Sequence, residues 1–405
     1  MANQDRKRNY YLAFMLFFRT FAKKLSHTPM ATFAFYILEF PAGGTGTAVS
    51  HTANELIAAG HQVIIYTARH CTDQYPKDYE RLFQVVIVPT MDPDTDENLD
   101  FLCQHIRENH VAALVVVAMH FYRIKVIKQN TSCKIVYALH GCPFYEAKDF
   151  SLNWKHWYDR WLHNGMKETL PIYRNTIDAA DRYVVLCEDY AKMLVRKMRL
   201  SKANVQKLRV VPNGIEITAV PALNKEKIIL FMGRLSLADK RPMRMAEIWR
   251  LIYQRLPDWR FIIVGDGPEK ENLEQYICQH HIERMVFAGF TNDTVSFYQK
   301  ASIICLTSQY EGWPLCLAEG QAYGVVPIAF DCTAGIRDII SPSKENGVLV
   351  PSYNCKAFAD KLYRMATDAK WLARMRDNVV RKAQSYTMSR NSDGYRKVLE
   401  ELISD

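Results

Sequence analysis

The stretch Ile303 to Phe330, IICLTSQYEGWPLCLAEGQAYGVVPIAF, decides how the chain is read. Ile303 to Thr307 is a short apolar run, and a polar loop follows it. Pro314 suits the first turn of a helix, where its missing N–H would have no partner anyway, and Gly324 ends that helix before the apolar run Val325 to Phe330. The pattern predicts strand, loop, helix and strand in succession. Glu311 then lies in the loop facing the helix mouth, while Glu319 sits inside a helix otherwise made of Leu315, Cys316, Leu317, Ala318, Gly320 and Ala322. A carboxylate among such neighbours needs a partner or a wet cleft, because burying it alone is costly. The N–H groups at the helix start, behind Gly312 and Pro314, form a positive polar end suited to hydroxyls and anions. The plain alternative is a solvated loop acid at 311 and a helix-surface acid at 319.

Around this stretch the chain is long enough for more than one core: 405 residues imply two or three domains. Hydrophobic residues make up 49% and charged residues 23%, which excludes a disordered chain. The net charge of +9 favours anionic partners. Sugar nucleotides, lipid phosphates and nucleic acid all satisfy that sign, so charge alone does not choose among them. Ten cysteines are scattered singly with no C-x-x-C pair, unlike a zinc site or a disulfide framework, and a reducing cytoplasm is the simplest home.

Residues 1–30 stand apart. Asp5-Arg6-Lys7-Arg8 precede the apolar aromatic run Tyr10 to Phe18, which is too short for the roughly 20 residues a membrane span needs. More basic residues follow where a signal peptide would carry a small-residue cleavage site. Phe14, Phe17 or Phe18, Phe21 and Leu25 recur at helical spacing, with Arg19 and Lys23 on another face. Two readings stand open: a basic amphipathic helix lying on an anionic membrane surface through residues 1–25, at the inner face of the plasma membrane, or a helix packed on the domain.

From Ala31 short apolar runs alternate with longer amphipathic stretches in the manner of βαβ units. Strands are expected at Thr32 to Leu38, Gln62 to Thr67, Val85 to Val88, Ala113 to Ala118, Lys134 to Leu139 and Tyr183 to Cys187. A second set runs through Ile228 to Met232, Phe261 to Val264, Met285 to Ala288, Ile303 to Thr307, Val325 to Phe330 and Val348 to Val350. This pattern predicts an α/β chain with two doubly wound, Rossmann-like domains: residues 31–220, then 221–385, with a helix over 386–405. The first strand leads into Pro41-Ala42-Gly43-Gly44-Thr45-Gly46, whose glycines let a backbone come close to phosphate or sugar, although a tight βα turn uses glycine too. His120 and His140 each end an apolar run, where open α/β sheets bind ligands. His120 reads as a capped polar residue at a strand end. Phe144 to Met166, with Trp154, Trp157 and Trp161, reads as lining an acceptor site or meeting a membrane.

In the second set, Met232-Gly233-Arg234 is followed six residues later by Lys240; arginine can hold phosphate oxygens with two parallel donors, and lysine adds a compact charge. A solvated basic patch is the alternative. Asp92, Asp94 and Asp96 are the only Asp-x-Asp spacings, and they read as a solvated loop rather than a metal site.

The spacing E-G-x-P-x-x-x-x-E-x-x-x-x-G-x-x-P from Glu311 to Pro327 resembles the donor-site signature of retaining glycosyltransferases of the GT-B, family 4 type. Val211-Pro212-Asn213-Gly214 and Val264-Gly265-Asp266-Gly267-Pro268 resemble the same family. The resemblance implies two Rossmann-like domains with a cleft between them, and transfer of a sugar from a UDP-hexose or UDP-N-acetylhexosamine to a hydroxyl on a glycan or glycolipid. Asp331 to Ile340 resembles members that build lipopolysaccharide, capsule or related bacterial glycans. Carried over by position, Gly44, Arg234, Lys240, Phe290, Gly312, Trp313, Pro314, Leu315 and Glu319 would bind donor, with Glu311 and His140 catalytic. Fixed basic groups would replace a metal, so no cofactor and no nucleic acid is expected. Two departures stand out: Gly46 replaces an acid common in the family's first loop, and Arg241-Pro242 follow Lys240 where glycine is common. None of these stretches is a Walker loop or a full G-x-G-x-x-G fingerprint. A sugar-nucleotide epimerase of the same architecture and a non-catalytic sugar-nucleotide binder are the rival readings.

Overall fold

The computed structural model describes residues 30–41, 43–71, 83–92, 95–117, 119–144 and 165–404. The amphipathic segment expected over residues 1–25 and most of the aromatic stretch 144–166 lie outside the described residues, as does Asp94. Among the described residues no helix is long and apolar enough to cross a membrane.

The chain forms two compact units, the second of which runs from Ile215 to Thr387. The first carries seven strands: β1 (Thr32–Phe40), β2 (Gln62–His70), β3 (Gln84–Ile87), β4 (Val111–Val116), β5 (Lys134–Ala138), β6 (Arg182–Val185) and β7 (Leu208–Val210). They pair in the order β3-β2-β1-β4-β5-β6-β7, every pair parallel. A parallel sheet needs a crossover after each strand, so helices cover both faces and the strands read as near-continuous apolar runs. Along β1 the alternation is direct. Phe33, Phe35 and Ile37 enter one core with Leu56 and Leu399, while Ala34 and Tyr36 enter another with Leu102 and Ile124.

The helix Met388–Ser404 belongs to this first unit. Its Tyr395, Val398, Leu399 and Leu402 pack in the core under the helix Gly43–Ala58, and Glu401 pairs with Arg209 at 2.5 Å. The chain changes unit at Gly214 and again at Thr387, slightly off the expected 220 and 385. Pairing explains the shift: Ile215 donates to the Tyr386 carbonyl at 2.8 Å and bridges Thr387, which binds 215–220 to the second unit.

The second unit carries β8 (Ile228–Met232), β9 (Arg260–Val264), β10 (Met285–Gly289), β11 (Ile303–Leu306), β12 (Val326–Phe330) and β13 (Val348–Val350), in the order β10-β9-β8-β11-β12-β13. All five residues of β8 and of β12 are buried. Burying each such aliphatic side chain contributes about 1.5–3 kcal/mol, so these central strands anchor the unit. The strand order reverses at β8/β11, the switch point outside whose carboxyl ends open α/β sheets hold ligands.

Two sequence expectations change. Gly44 is in the first turn of the helix Gly43–Ala58 rather than in a loop, so it offers a helix-start N–H. The missing acid at Gly46 has a steric cause: a Cβ there would lie 2.8 Å from the Pro41 carbonyl carbon, closer than any side chain is tolerated.

Candidate active site

Lys240 follows β8 and Glu311 follows β11, so the switch point of the second sheet brings them together. The Lys240 Nζ donates to Glu311 Oε1 at 2.6 Å, with the side chains 16% and 11% exposed. The Ser308 hydroxyl donates to the same oxygen at 2.6 Å. Burial works against the Lys240 charge, but the Glu311 carboxylate outweighs it and raises the ammonium above its ordinary value. Lys240 is therefore charged at neutral pH. Sequence reading flagged each one singly; their pairing is a product of the fold.

Arg234 is mostly exposed, at 70%, and meets Asp239 at 3.4 Å. An exposed pair at that distance is weak and leaves the guanidinium available. Asp239 had no sequence signal beyond its charge, yet it organises the loop: it accepts from the Ser236 hydroxyl, and its carbonyl accepts from Gln309 N at 2.7 Å. Burial would raise its carboxyl, but the Ser236 hydrogen bond and the charges of Lys240 and Arg234 hold it below its usual value.

Beside these charges, on the β9 and β10 side, opens a cavity of about 420 Å³ lined by Gly233, Arg234, Asp266, Phe290 and Thr291 among others. Phe290 is 75% exposed there, an apolar ring presented at a polar edge. The loop backbones are tied to one another: Gly233 N donates to Val264 O at 3.0 Å, Leu235 N to Asp266 O at 2.8 Å and Gly265 N to Gly289 O at 2.8 Å.

The helix behind Glu311 spans Leu315–Ala322, with Pro314 at its cap in an extended conformation. Leu315 opens it, and Gly312 lies against the helix Ala334–Ile340: a Cβ on Gly335 would sit 1.9 Å from the Gly312 carbonyl oxygen. Trp313 is turned inward, its indole N–H donating to Asp338 Oδ2 at 3.0 Å and its ring edge-on to Tyr386 at 5.0 Å, so its backbone alone faces the loop. Glu319 accepts from the Tyr298 hydroxyl at 2.8 Å. Burial raises the Glu319 carboxyl, and that hydrogen bond pulls it partly back. Tyr298 escaped the sequence reading because a buried aromatic in an amphipathic helix looks like core.

In the first unit, His140 lies just beyond β5, half-buried, with Nδ1 3.2 Å from Asn213 Oδ1. The amide oxygen accepts, so Nδ1 carries the proton and Nε2 is left as a base. Burial lowers the imidazole below its ordinary value, only partly offset by Asn213, which keeps it neutral at pH 7. Asn213 was read as part of a turn; the V-P-N-G pattern was its one signal. Asn391 of the last helix fixes that turn by donating to Pro212 O at 2.6 Å. His120, read as a capped polar residue at a strand end, stands at the N-cap position of the helix Phe121–Asn130 and makes no side-chain cap hydrogen bond. It lines an apolar cavity of about 310 Å³ with Tyr137, Tyr173 and Tyr183. Gly44, His140 and His120 belong to the first unit and the remaining site residues to the second.

Asp96 begins the helix Asp96–Glu108, and the Asp92 carbonyl accepts from Asn98 at 2.8 Å. Among the described residues no group of three or more His, Cys, Asp or Glu could hold a metal. All ten cysteines are free thiols.

Two family descriptions match almost the whole of this architecture: "Glycosyltransferase Family 4" over residues 42–219 and "Glycosyl transferases group 1" over residues 215–384. An uncharacterized glycosyltransferase of Haemophilus influenzae is 29% identical over 253 residues, covering 61% of this chain and 67% of that one. The amylovoran biosynthesis glycosyltransferase AmsD of Erwinia amylovora is 32% identical over 142 residues, which is 35% of this chain and 39% of the relative. The solved structure of HepE from Anabaena, in complex with UDP, superposes with a TM-score of 0.70 at 14% identity over 92% of this chain and 100% of that one. With both halves matched in order and both sheets in place, the chain belongs to the GT-B glycosyltransferases of the family 4, group 1 type.

Proposed function

We propose that the enzyme moves a hexose or N-acetylhexosamine from its UDP derivative to a hydroxyl of a bacterial surface glycan or glycolipid, with retention at the anomeric carbon. The observation that carries this reading is the Lys240–Glu311 pair at the switch point of the second sheet, beside a cavity edged by Phe290. A diphosphate needs fixed positive charge, a base needs an apolar edge, and a sugar needs a carboxylate and helix-start N–H groups; the second unit carries all three on one sheet edge. The UDP held by HepE and the amylovoran biosynthesis in the name of AmsD support the choice of donor and acceptor.

In this reading Arg234 and Lys240 stabilise the departing diphosphate, Glu319 holds the ribose, and Glu311 with Gly312 to Leu315 orients the sugar. Phe290 and Thr291 border the base. The bond from the anomeric carbon to the phosphate oxygen breaks, and the acceptor oxygen bonds to that carbon from the same face. The acceptor proton goes to the departing phosphate oxygen, and the diphosphate leaves carrying the bonding pair. Charge on the leaving group is met by protein cations rather than by a bound metal, a division of labour that electrostatic preorganisation makes sufficient.

The test is a panel of nucleotide sugars screened by thermal shift, followed by transfer to lipid-linked and oligosaccharide acceptors, with the product anomer read by NMR. Transfer with retention that persists in excess EDTA is the expected result. An inverted product overturns the stereochemical assignment, conversion of donor without acceptor points to an epimerase, and activity lost to EDTA and restored by Mn²⁺ overturns the metal-free assignment.

His140 is placed on the acceptor side by the resemblance. Because the donor phosphate takes the proton, His140→Ala should be impaired but active, slower by about 10–100-fold. Its folded pKa is lowered, so the neutral form persists below the ordinary histidine range. Activity that depends on neutral His140 should hold down to that range and fall only as the pH drops further, and the alanine variant should lack this acid limb. A pH profile of kcat/KM for both proteins checks it.

A further inference from the structure

Tyr298 lies on the helix Thr294–Lys300 and is 1% exposed. A phenol so enclosed needs a hydrogen-bond partner, and its hydroxyl donates to Glu319 Oε2 at 2.8 Å. The ring has little freedom to leave. It stacks parallel to Tyr323, centroids 6.0 Å apart and planes 5° off. Tyr323 is in turn held by Thr218, whose backbone N–H donates to its hydroxyl at 3.1 Å and whose Oγ1 lies at the same distance. Glu319 Oε1, by contrast, carries no hydrogen bond among the described residues and is not one of the enclosed side-chain atoms left without a partner. One oxygen of this carboxylate is thus committed to the protein interior and the other is open.

We propose that Tyr298 is the positioning residue of the ribose site: by holding Glu319 Oε2 it fixes the carboxylate so that Oε1, with two lone pairs, meets the vicinal 2′- and 3′-hydroxyls of the donor nucleotide. The inference rests on Glu319 being the ribose ligand, as read above. An unheld glutamate would have to freeze its side-chain rotors at each binding event, and the buried phenol orders it in advance. Electrostatics act in the same direction. Burial, and then the Glu319 charge, raise Tyr298 well above the ordinary phenol value, so it stays a donor at every working pH. Its hydrogen bond in turn favours the ionised carboxylate that a ribose hydroxyl prefers.

Calorimetry with two probes, UDP and its 2′,3′-dideoxy analogue, tests this in the full chain. The unaltered enzyme should prefer UDP by about tenfold or more, the effect of losing hydrogen bonds to a charged acceptor. Tyr298→Phe keeps the ring and its stack and should reduce that preference to about threefold or less, leaving affinity for the dideoxy analogue unchanged. Its remaining preference should also vanish at a higher pH on acidification, because Glu319 without the phenol is protonated more readily. Tyr323→Phe removes an equally buried hydroxyl that touches Thr218 instead, and should retain the full preference. If Tyr298→Phe keeps the full preference, or weakens both ligands equally, the positioning role is wrong. If Glu319→Ala itself keeps the preference, the ribose assignment of Glu319 fails and this inference falls with it.

Discussion

Replacing Lys240 by alanine should lower turnover by about a hundredfold or more, the usual effect of deleting one preorganised charge contact to a developing anion. The ammonium is held 2.6 Å from Glu311 Oε1 in a nearly enclosed position and is kept ionised by it. Two consequences of the deletion must be separated. One is loss of positive charge facing the leaving diphosphate; the other is an orphaned carboxylate at Glu311, which lowers stability because its desolvation is no longer offset. The double variant Lys240→Ala, Glu311→Gln separates them. It should regain thermal stability relative to Lys240→Ala, since the buried charge is gone, but should transfer sugar no faster. Recovery of turnover in the double variant would mean that Lys240 serves only to neutralise Glu311. A single variant within a few-fold of the unaltered rate would remove Lys240 from the chemistry altogether.

Gly335→Ala should be among the most damaging small substitutions in the second unit. The added methyl would lie 1.9 Å from the Gly312 carbonyl oxygen, 2.9 Å from its carbon and 3.1 Å from Trp313 Cα, all of them backbone. No side chain can swing aside, so either the helix Ala334–Ile340 or the loop behind Glu311 must move. Overpacking of this kind costs about 1–3 kcal/mol, and for a unit of this size each kcal/mol lowers the melting temperature by about 2–4 °C. Donor affinity should fall with it, by about tenfold, because the displaced loop carries the helix-start N–H groups. Gly320→Ala is the control. Its nearest neighbour would be the Ile304 Cγ2 methyl at 3.4 Å, an ordinary contact, and alanine is the better helix former. Melting curves and UDP titration of the two variants should therefore diverge; equal effects would show that the Gly335 contact is slack.

What could be read from the letters follows from burial. β8 and β13 begin and end where the apolar runs do, because a parallel strand covered on both faces needs apolar residues throughout. The strand at Arg182–Val185 is shorter than its apolar run, since Leu186 and Cys187 remain buried after the ladder ends and hydrophobicity alone does not mark that change. The helix expected from Tyr386 begins at Met388, because Gln384–Tyr386 forms a tighter 3₁₀ turn and Tyr386 is occupied with Ile215 and Trp313. The site was half legible. Motif spacing picked out Glu311, Glu319, Arg234 and Lys240, but Lys240 and Glu311 are 71 positions apart, and His140 and Asn213 are 73 apart. Nothing local in a sequence encodes such a meeting. Trp313 shows the opposite limit: its place in the motif is that of a loop residue, while its ring is needed inside.

The placement of the last helix has a consequence for synthesis. Residues 388–404 complete the core formed by Phe33, Phe35, Val63 and Leu56, so among the described residues the second unit is one continuous stretch, Ile215 to Thr387, inserted in a first unit assembled from separated stretches of chain. On the ribosome the inserted unit has every strand it needs as soon as Thr387 has emerged. The unit begun first must wait with an apolar helix face uncovered until the final turns are made, which makes it the natural client of a chaperone and the inserted one the natural choice for expression alone.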